Sequence, residues 1–142
     1  MTDNFRMMHT MVRVKDQEKA IDFYTRLLGM KVLRQSDNDV GKYTNTFLGY
    51  GDEDSHTVLE LTYNWDEKDP YELGRAFGHL AIGVPDVAAT CEVMENEGVP
   101  VPRPAGPVIG GSTIIAFVKD PDGRSIELIQ AGTGTHARLS SE

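Results

Sequence analysis

The chain repeats itself, and the repeat limits what it can fold into. His9-Thr10-Met11-Val12-Arg13-Val14 near the start is answered by His79-Leu80-Ala81-Ile82-Gly83-Val84 in the second half. An aspartate follows each histidine seven residues later (Asp16, Asp86), and a glycine about twenty later (Gly29, Gly98). Each half closes on an apolar-Glu-Leu triplet, Leu59-Glu60-Leu61 and Ile126-Glu127-Leu128. The histidines stand 70 residues apart and the glutamates 67, so the copies differ by three residues of loop. A fixed period of this length means duplicated supersecondary units. Two His and two Glu at matching positions are also a candidate donor set for one divalent-metal site.

Residues 7–14 alternate as a half-buried strand, with Thr10, Val12 and Val14 on one face and His9, Met11 and Arg13 on the other. From Asp16, a suitable N-cap, the period becomes helical: Ile21, Tyr24 and Leu28 fall on one stripe, and Gly29 suits the C′ position. Strands are predicted near 31–36, 43–50 and 56–64. The second half repeats the order, with a strand over 79–84, a helix from Asp86 to Glu97 ending at Gly98, and strands near 99–103, 112–119 and 124–130. Asp120-Pro121-Asp122-Gly123 is a strong turn signal between the last two. Each module therefore reads β-α-β-β-β, and the class is α+β. The expected organisation is a single domain of two modules, about 5–66 and 77–130. The glycine-rich stretch from Ala105 to Gly111 reads as a mobile loop, and the polar tail 131–142 as flexible.

Composition narrows the function classes. A formal charge of −8 argues against nucleic acid, whose phosphates need clustered Lys and Arg, and against anionic membrane surfaces. Any anionic substrate must be met by local cations. The longest apolar stretches are strand-sized, no signal-peptide pattern is apparent, and the single cysteine, Cys91, cannot form an internal disulfide. A cytoplasmic protein is the expectation.

Strand alternation decides whether the four donors can face together. Val58, Glu60, Thr62 and Asn64 share one face of their strand, His79, Ala81 and Gly83 one face of theirs, and Ser125, Glu127 and Ile129 one face of the last. In each case the donor side is the more polar or smaller one. A lone strand histidine is most often a hydrogen-bonded structural residue, and a lone Glu between aliphatics merely marks a solvent face. Four such residues in duplicated register are different, because two carboxylates buried together without a cation raise each other's pKa and are costly to desolvate. Two nitrogens and two oxygens with open positions suit Ni, Co, Mn or Zn in a catalytic rather than a structural site. Such an ion can hold neighbouring substrate oxygens and stabilise the enediolate left when a proton is removed beside a carbonyl. A carboxylate that loosens from the ion can be the base.

Over nearly its whole length, to about residue 130, the chain resembles glyoxalase I of the vicinal oxygen chelate superfamily. The likeness rests on His9 to Asp16, on Asp22-Phe23-Tyr24-Thr25-Arg26-Leu27-Leu28-Gly29-Met30, on Leu59-Glu60-Leu61-Thr62-Tyr63-Asn64-Trp65, on Phe77-Gly78-His79 and on Asp120-Pro121-Asp122-Gly123. The resemblance implies a homodimer with a site at each inter-chain interface, His9 and Glu60 coming from one chain and His79 and Glu127 from the other. It implies glutathione as cosubstrate and the methylglyoxal hemithioacetal as the small-molecule substrate. Glu127 matches the family's catalytic base, with Glu60 its near-symmetric counterpart. Its glutathione contacts map to Arg13 and Asn64, with Arg75, four residues before His79, as a third, and His79 also counts among the substrate-binding residues. Arg13 and Asn64 each lie four residues beyond a donor, about 13 Å along the same strand face, a reach suited to a tripeptide bearing two carboxylates. A further basic contact is expected before the last hairpin; Arg103 is nearest, and the loop itself carries Ile109. The compact form, with His at position 9, is similar to the bacterial type that prefers Ni2+ or Co2+, with Zn2+ as the alternative. His56, beyond an acidic loop, and His136, in the tail, read as solvated.

Three other readings share this fold. A ring-cleaving dioxygenase would use iron with two His and one carboxylate, so Glu60 counts against it. An epimerase could share the four donors but has no need of Arg13 and Asn64 for glutathione. A non-catalytic binding protein would need no duplicated His and Glu. Fold alone does not separate them.

Overall fold

The computed structural model describes residues 1–134. It divides into two compact units, Met1–Glu72 and Leu73 onward. Each is a four-stranded mixed sheet with a helix on one face, so the βαβββ reading of both halves holds.

In the first unit, β1 (His9–Arg13) leads to α1 (Gln17–Asp22), which runs on as a π-helical turn over Phe23–Leu27. The sequence suggested one α-helix here. The widened turn is visible in the Leu28 N–H, which donates to the Phe23 carbonyl at 3.2 Å. Asp16 caps the helix by accepting from the Lys19 N–H at 3.0 Å. Gly29 takes the left-handed φ of 76° that closes the helix, as Gly98 does at 77° in the second unit. Then follow β2 (Lys31–Asn38), β3 (Tyr43–Gly49) and β4 (Val58–Asn64), in sheet order β1-β4-β3-β2, with β1 and β4 parallel. One sheet face carries Val12, Leu48, Leu59 and Leu61 toward Ala20, Phe23, Tyr24 and Leu28, all buried. Burying each such large side chain is worth about 1.5–3 kcal/mol.

The second unit repeats the order with β5 (Leu80–Val84), α2 (Val87–Asn96), β6 (Arg103–Pro107), β7 (Ile114–Lys119) and β8 (Ser125–Gln130), arranged β5-β8-β7-β6. Asp86 caps α2 through the Ala89 N–H. Val87, Cys91 and Met94 pack with Ile82, Ala116, Val118, Ile126 and Leu128.

Strand β6 lies further along than the sequence suggested, taking in part of the glycine-rich stretch that read as a loop. Two prolines hide it, since they supply no N–H to a ladder. They are tolerated because β6 is the sheet edge, and a register shift falls between Arg103 and Gly106. Of the tail, residues 131–134 are tied down: the Ala131 N–H donates to the Val84 carbonyl, and the Thr133 hydroxyl to that of Gln130. The remainder, with His136, lies outside the described residues.

Candidate metal centre

Strand register builds a polar face in each unit. In the first, β1 runs beside β4 with Met11 opposite Glu60 and Arg13 opposite Thr62. Across β4, Glu60 faces Phe47, Thr62 faces Asn45 and Asn64 faces Tyr43; beyond them Arg34 faces Phe47. In the second unit Ala81 and Phe117 flank Glu127, and Arg103 faces Phe117. The two faces therefore share one register, with Phe47 and Phe117 opposite the glutamates and Arg34 and Arg103 beyond them.

On each face the histidine meets the glutamate. His9 Nε2 lies 2.9 Å from a Glu60 carboxylate oxygen, and His79 Nε2 lies 3.5 Å from one of Glu127. Both carboxylates are largely buried, at 12% and 16% side-chain exposure, whereas the imidazoles are about 40% exposed, each presenting an open edge. Each ring also packs edge-on against the repeated phenylalanine: His9 with Phe47 at 5.4 Å and 86°, His79 with Phe117 at 5.2 Å and 74°. A neutral imidazole nitrogen and a carboxylate oxygen, aimed together and backed by a ring, fit a borderline divalent ion. Within either unit they are only two donors. Among the described residues, neither unit gathers three or more His, Cys, Asp or Glu side chains around one point.

Beside Glu60 a cleft of about 360 Å³ is lined by Met11, Arg13, Tyr43, Asn45, Thr62 and Asn64. Arg13 and Asn64 thus lie on one wall system with a donor. The Asn64 amide donates to the Tyr71 hydroxyl at 2.9 Å, and the Thr62 hydroxyl to the Asn45 side-chain oxygen at 2.8 Å. Arg75 is exposed in the turn before β5, and no hydrogen bond or ion pair among the described residues holds it. Arg103 is not a ready anion contact. Its guanidinium donates to the carbonyls of Pro104, Gly106, Pro107 and Ile115 at 2.7–2.9 Å, stitching the bulged edge strand. His56 hydrogen-bonds its neighbour Ser55 and packs over Gly51, apart from the donor face.

Three residues of this site escaped the sequence reading. Phe47 and Phe117 stand 70 residues apart, like the histidines, so the repeat did mark them. The third is Arg34, whose guanidinium lies 3.6 Å above the Phe47 ring while making two hydrogen bonds to the Glu53 carboxylate, at 2.7 and 3.0 Å. Glu53 sits in the acidic loop between β3 and β4, and no sequence signal tied it to β2.

This paired arrangement defines a class. The chain belongs to the Glyoxalase/Bleomycin resistance protein/Dioxygenase superfamily, whose family model matches residues 6–128. Relatives within it are more specific. A probable lactoylglutathione lyase of Vibrio cholerae is 58% identical over 127 residues, 89% of this chain and 91% of its own. The lactoylglutathione lyase of Escherichia coli O157:H7 is 54% identical over 132 residues, 91% of this chain and 97% of its own. Among solved structures, the glyoxalase I of Leishmania major, described as trypanothione-dependent, matches with a TM-score of 0.80 at 49% identity, over 89% of this chain and 87% of its own. That of Zea mays matches with a TM-score of 0.83 at 48% identity over 88% of this chain, which spans 44% of the maize chain's length.

Proposed function

We propose that this protein is a metal-dependent lactoylglutathione lyase, converting the hemithioacetal of methylglyoxal and glutathione into S-lactoylglutathione. The observation that carries the reading is the repeated His–Glu pair, in the same register and with the same ring behind it in both units. The lyases at 54% and 58% identity support it.

His9, Glu60, His79 and Glu127 would hold the ion, Ni2+ first, with Co2+ or Zn2+ as alternatives. When bound, the ion supplies Lewis-acid polarisation of adjacent substrate oxygens, worth several kcal/mol. The remaining work falls to the chain. Glu127 takes the proton from C1 of the hemithioacetal and returns it at C2, so the reaction is an isomerisation with no net gain or loss of atoms. General-base action of this kind contributes about 10²–10⁴-fold. Glu60 is its counterpart on the other face. Arg13 and Asn64, lining the cleft beside Glu60, anchor glutathione carboxylates, and Arg75, near His79, is a third contact.

Two donors per face leave a shell half built, and a second copy of the chain can supply the other two. The working unit we propose, on the family resemblance, is a homodimer, each chain a single domain of two modules, acting on a small molecule and not on nucleic acid or membrane. No helix among the described residues is long and apolar enough to cross a membrane. The lone Cys91 is buried and calls for no oxidising compartment, in keeping with a cytoplasmic enzyme.

The test is turnover of methylglyoxal with glutathione by metal-stripped and reconstituted protein. Stripped protein should be silent, with nickel or cobalt restoring more activity than zinc. Equal or better recovery with zinc overturns the choice of nickel, and silence with every metal overturns the reaction.

A further inference from the structure

We propose that Arg34 and Glu53 are positioning residues for the His9–Glu60 half of the metal centre, acting through Phe47 to fix the imidazole and so tighten the grip on the ion. This rests on the metal-dependent reading above.

Three contacts join four residues in an unbroken line. Glu53 holds the Arg34 guanidinium by a two-point fork, the guanidinium covers one Phe47 ring face, and Phe47 meets His9 edge-on. Phe47 also stands directly opposite Glu60 in the sheet, so it borders both donors. The segment leading into His9 is held by the loop after β3 and the start of β4. Arg6 donates to the Glu53 carbonyl, the Thr57 hydroxyl to the Met7 carbonyl at 2.7 Å, and the Val58 N–H to the Met8 carbonyl at 3.1 Å. Glu53 thus ties β2 by its side chain and the entry to β1 by its backbone, with His9 between.

The charges sense the site as well. The hydrogen bond to Glu53 raises Arg34 above the usual guanidinium value, and the Glu60 carboxylate adds to this. The Arg34 hydrogen bond holds Glu53 below the usual glutamate range, with His9 contributing. Among the described residues the second unit does not repeat the device: Arg103 in the matching register is committed to backbone carbonyls.

An ordinary surface ion pair predicts something different. Exposed pairs contribute little and have no effect at a distance, whereas groups that orient a metal-bound imidazole typically change metal affinity or activity about 10–100-fold. The experiment is calorimetric titration of Ni2+ alone into metal-stripped full-length protein, for wild type, Arg34→Met, Arg34→Lys, Glu53→Gln and the Arg34→Met/Glu53→Gln double variant. Melting temperatures of the stripped proteins and kcat and KM at saturating nickel complete it.

We expect each of Arg34→Met and Glu53→Gln to weaken nickel binding by about 10–100-fold. The double variant should be no weaker than the worse single, because the two act as one unit. Arg34→Lys keeps the charge but loses the planar fork, so it should not rescue. Melting should shift by only a few degrees, and saturating nickel should restore kcat with KM unchanged. Nickel affinity in Arg34→Met and Glu53→Gln equal to that of wild type overturns the positioning role alone. Wild-type protein that takes up no nickel, cobalt or zinc overturns it together with the metal reading.

Discussion

Glu127 sits between Ala81 and Phe117 on its sheet face, with one small and one apolar neighbour. Glu127→Gln retains the shape and an oxygen donor but cannot accept the substrate proton. Turnover should fall by about 10²–10⁴-fold while fold and most metal binding survive. A variant within a few-fold of wild type in kcat would remove Glu127 from the role of base. Glu53 makes a separate prediction about stability. Its carboxyl is held down in the folded state, so the Arg34 pair contributes fully above the unfolded value, about 4.3. That contribution is lost as the pH falls further, through the folded value. The difference in melting temperature between wild type and Glu53→Gln should therefore close on acidification below about pH 4; a gap that widens would contradict the sign. Individual residues were unequally legible. His9, Glu60, His79 and Glu127 announce themselves by repetition in strands of clear period two. Arg34 and Glu53 do not, because their pairing joins a strand to an irregular loop 19 residues away, and periodicity carries no information about such a meeting.

Among the elements, the hairpin joining β7 to β8 is held from inside. Asp120 accepts from the Asp122 and Arg124 N–H groups at 3.0 and 2.9 Å, and its other oxygen meets the Arg124 guanidinium at 2.6 Å with both side chains buried. Asp120→Asn keeps the outline but removes the carboxylate charge from a buried ion pair, which should cost about 3–5 kcal/mol in denaturant unfolding. A loss under about 1 kcal/mol would mean that Arg124 finds water instead. The turn itself was plain from Asp-Pro-Asp-Gly, and the two helices from Asp caps and closing glycines. What the chain did not disclose at this scale was β6 and the π-helical turn. In the first, prolines mask an edge strand whose ladder Arg103 supplements from its side chain. In the second, one extra residue per turn over Phe23–Leu27 leaves the apolar stripe nearly unchanged, so the helical period gives no warning.

Taken whole, the protein uses one plan twice and varies only its trimmings. Register, histidine, glutamate and backing ring recur in both units, whereas Arg13 and Asn64 of the first have Gly83 and Ala131 at the matching places of the second. The net charge of −8 makes local arginines the means of meeting an anionic cosubstrate.

Strands β2, β3 and β4 pair with sequence neighbours, but β1 joins β4 only after about fifty residues of intervening chain, with His9 opposite Val58. Closing so long a loop comes late in folding, and edge strands open early in unfolding. The ladder formed last is the one that brings imidazole to carboxylate. Native-state hydrogen exchange should show β1 amides opening below the energy of global unfolding, and activity should vanish in mild denaturant before the far-ultraviolet signal changes. Protection of β1 as strong as that of β4 would refute this ordering.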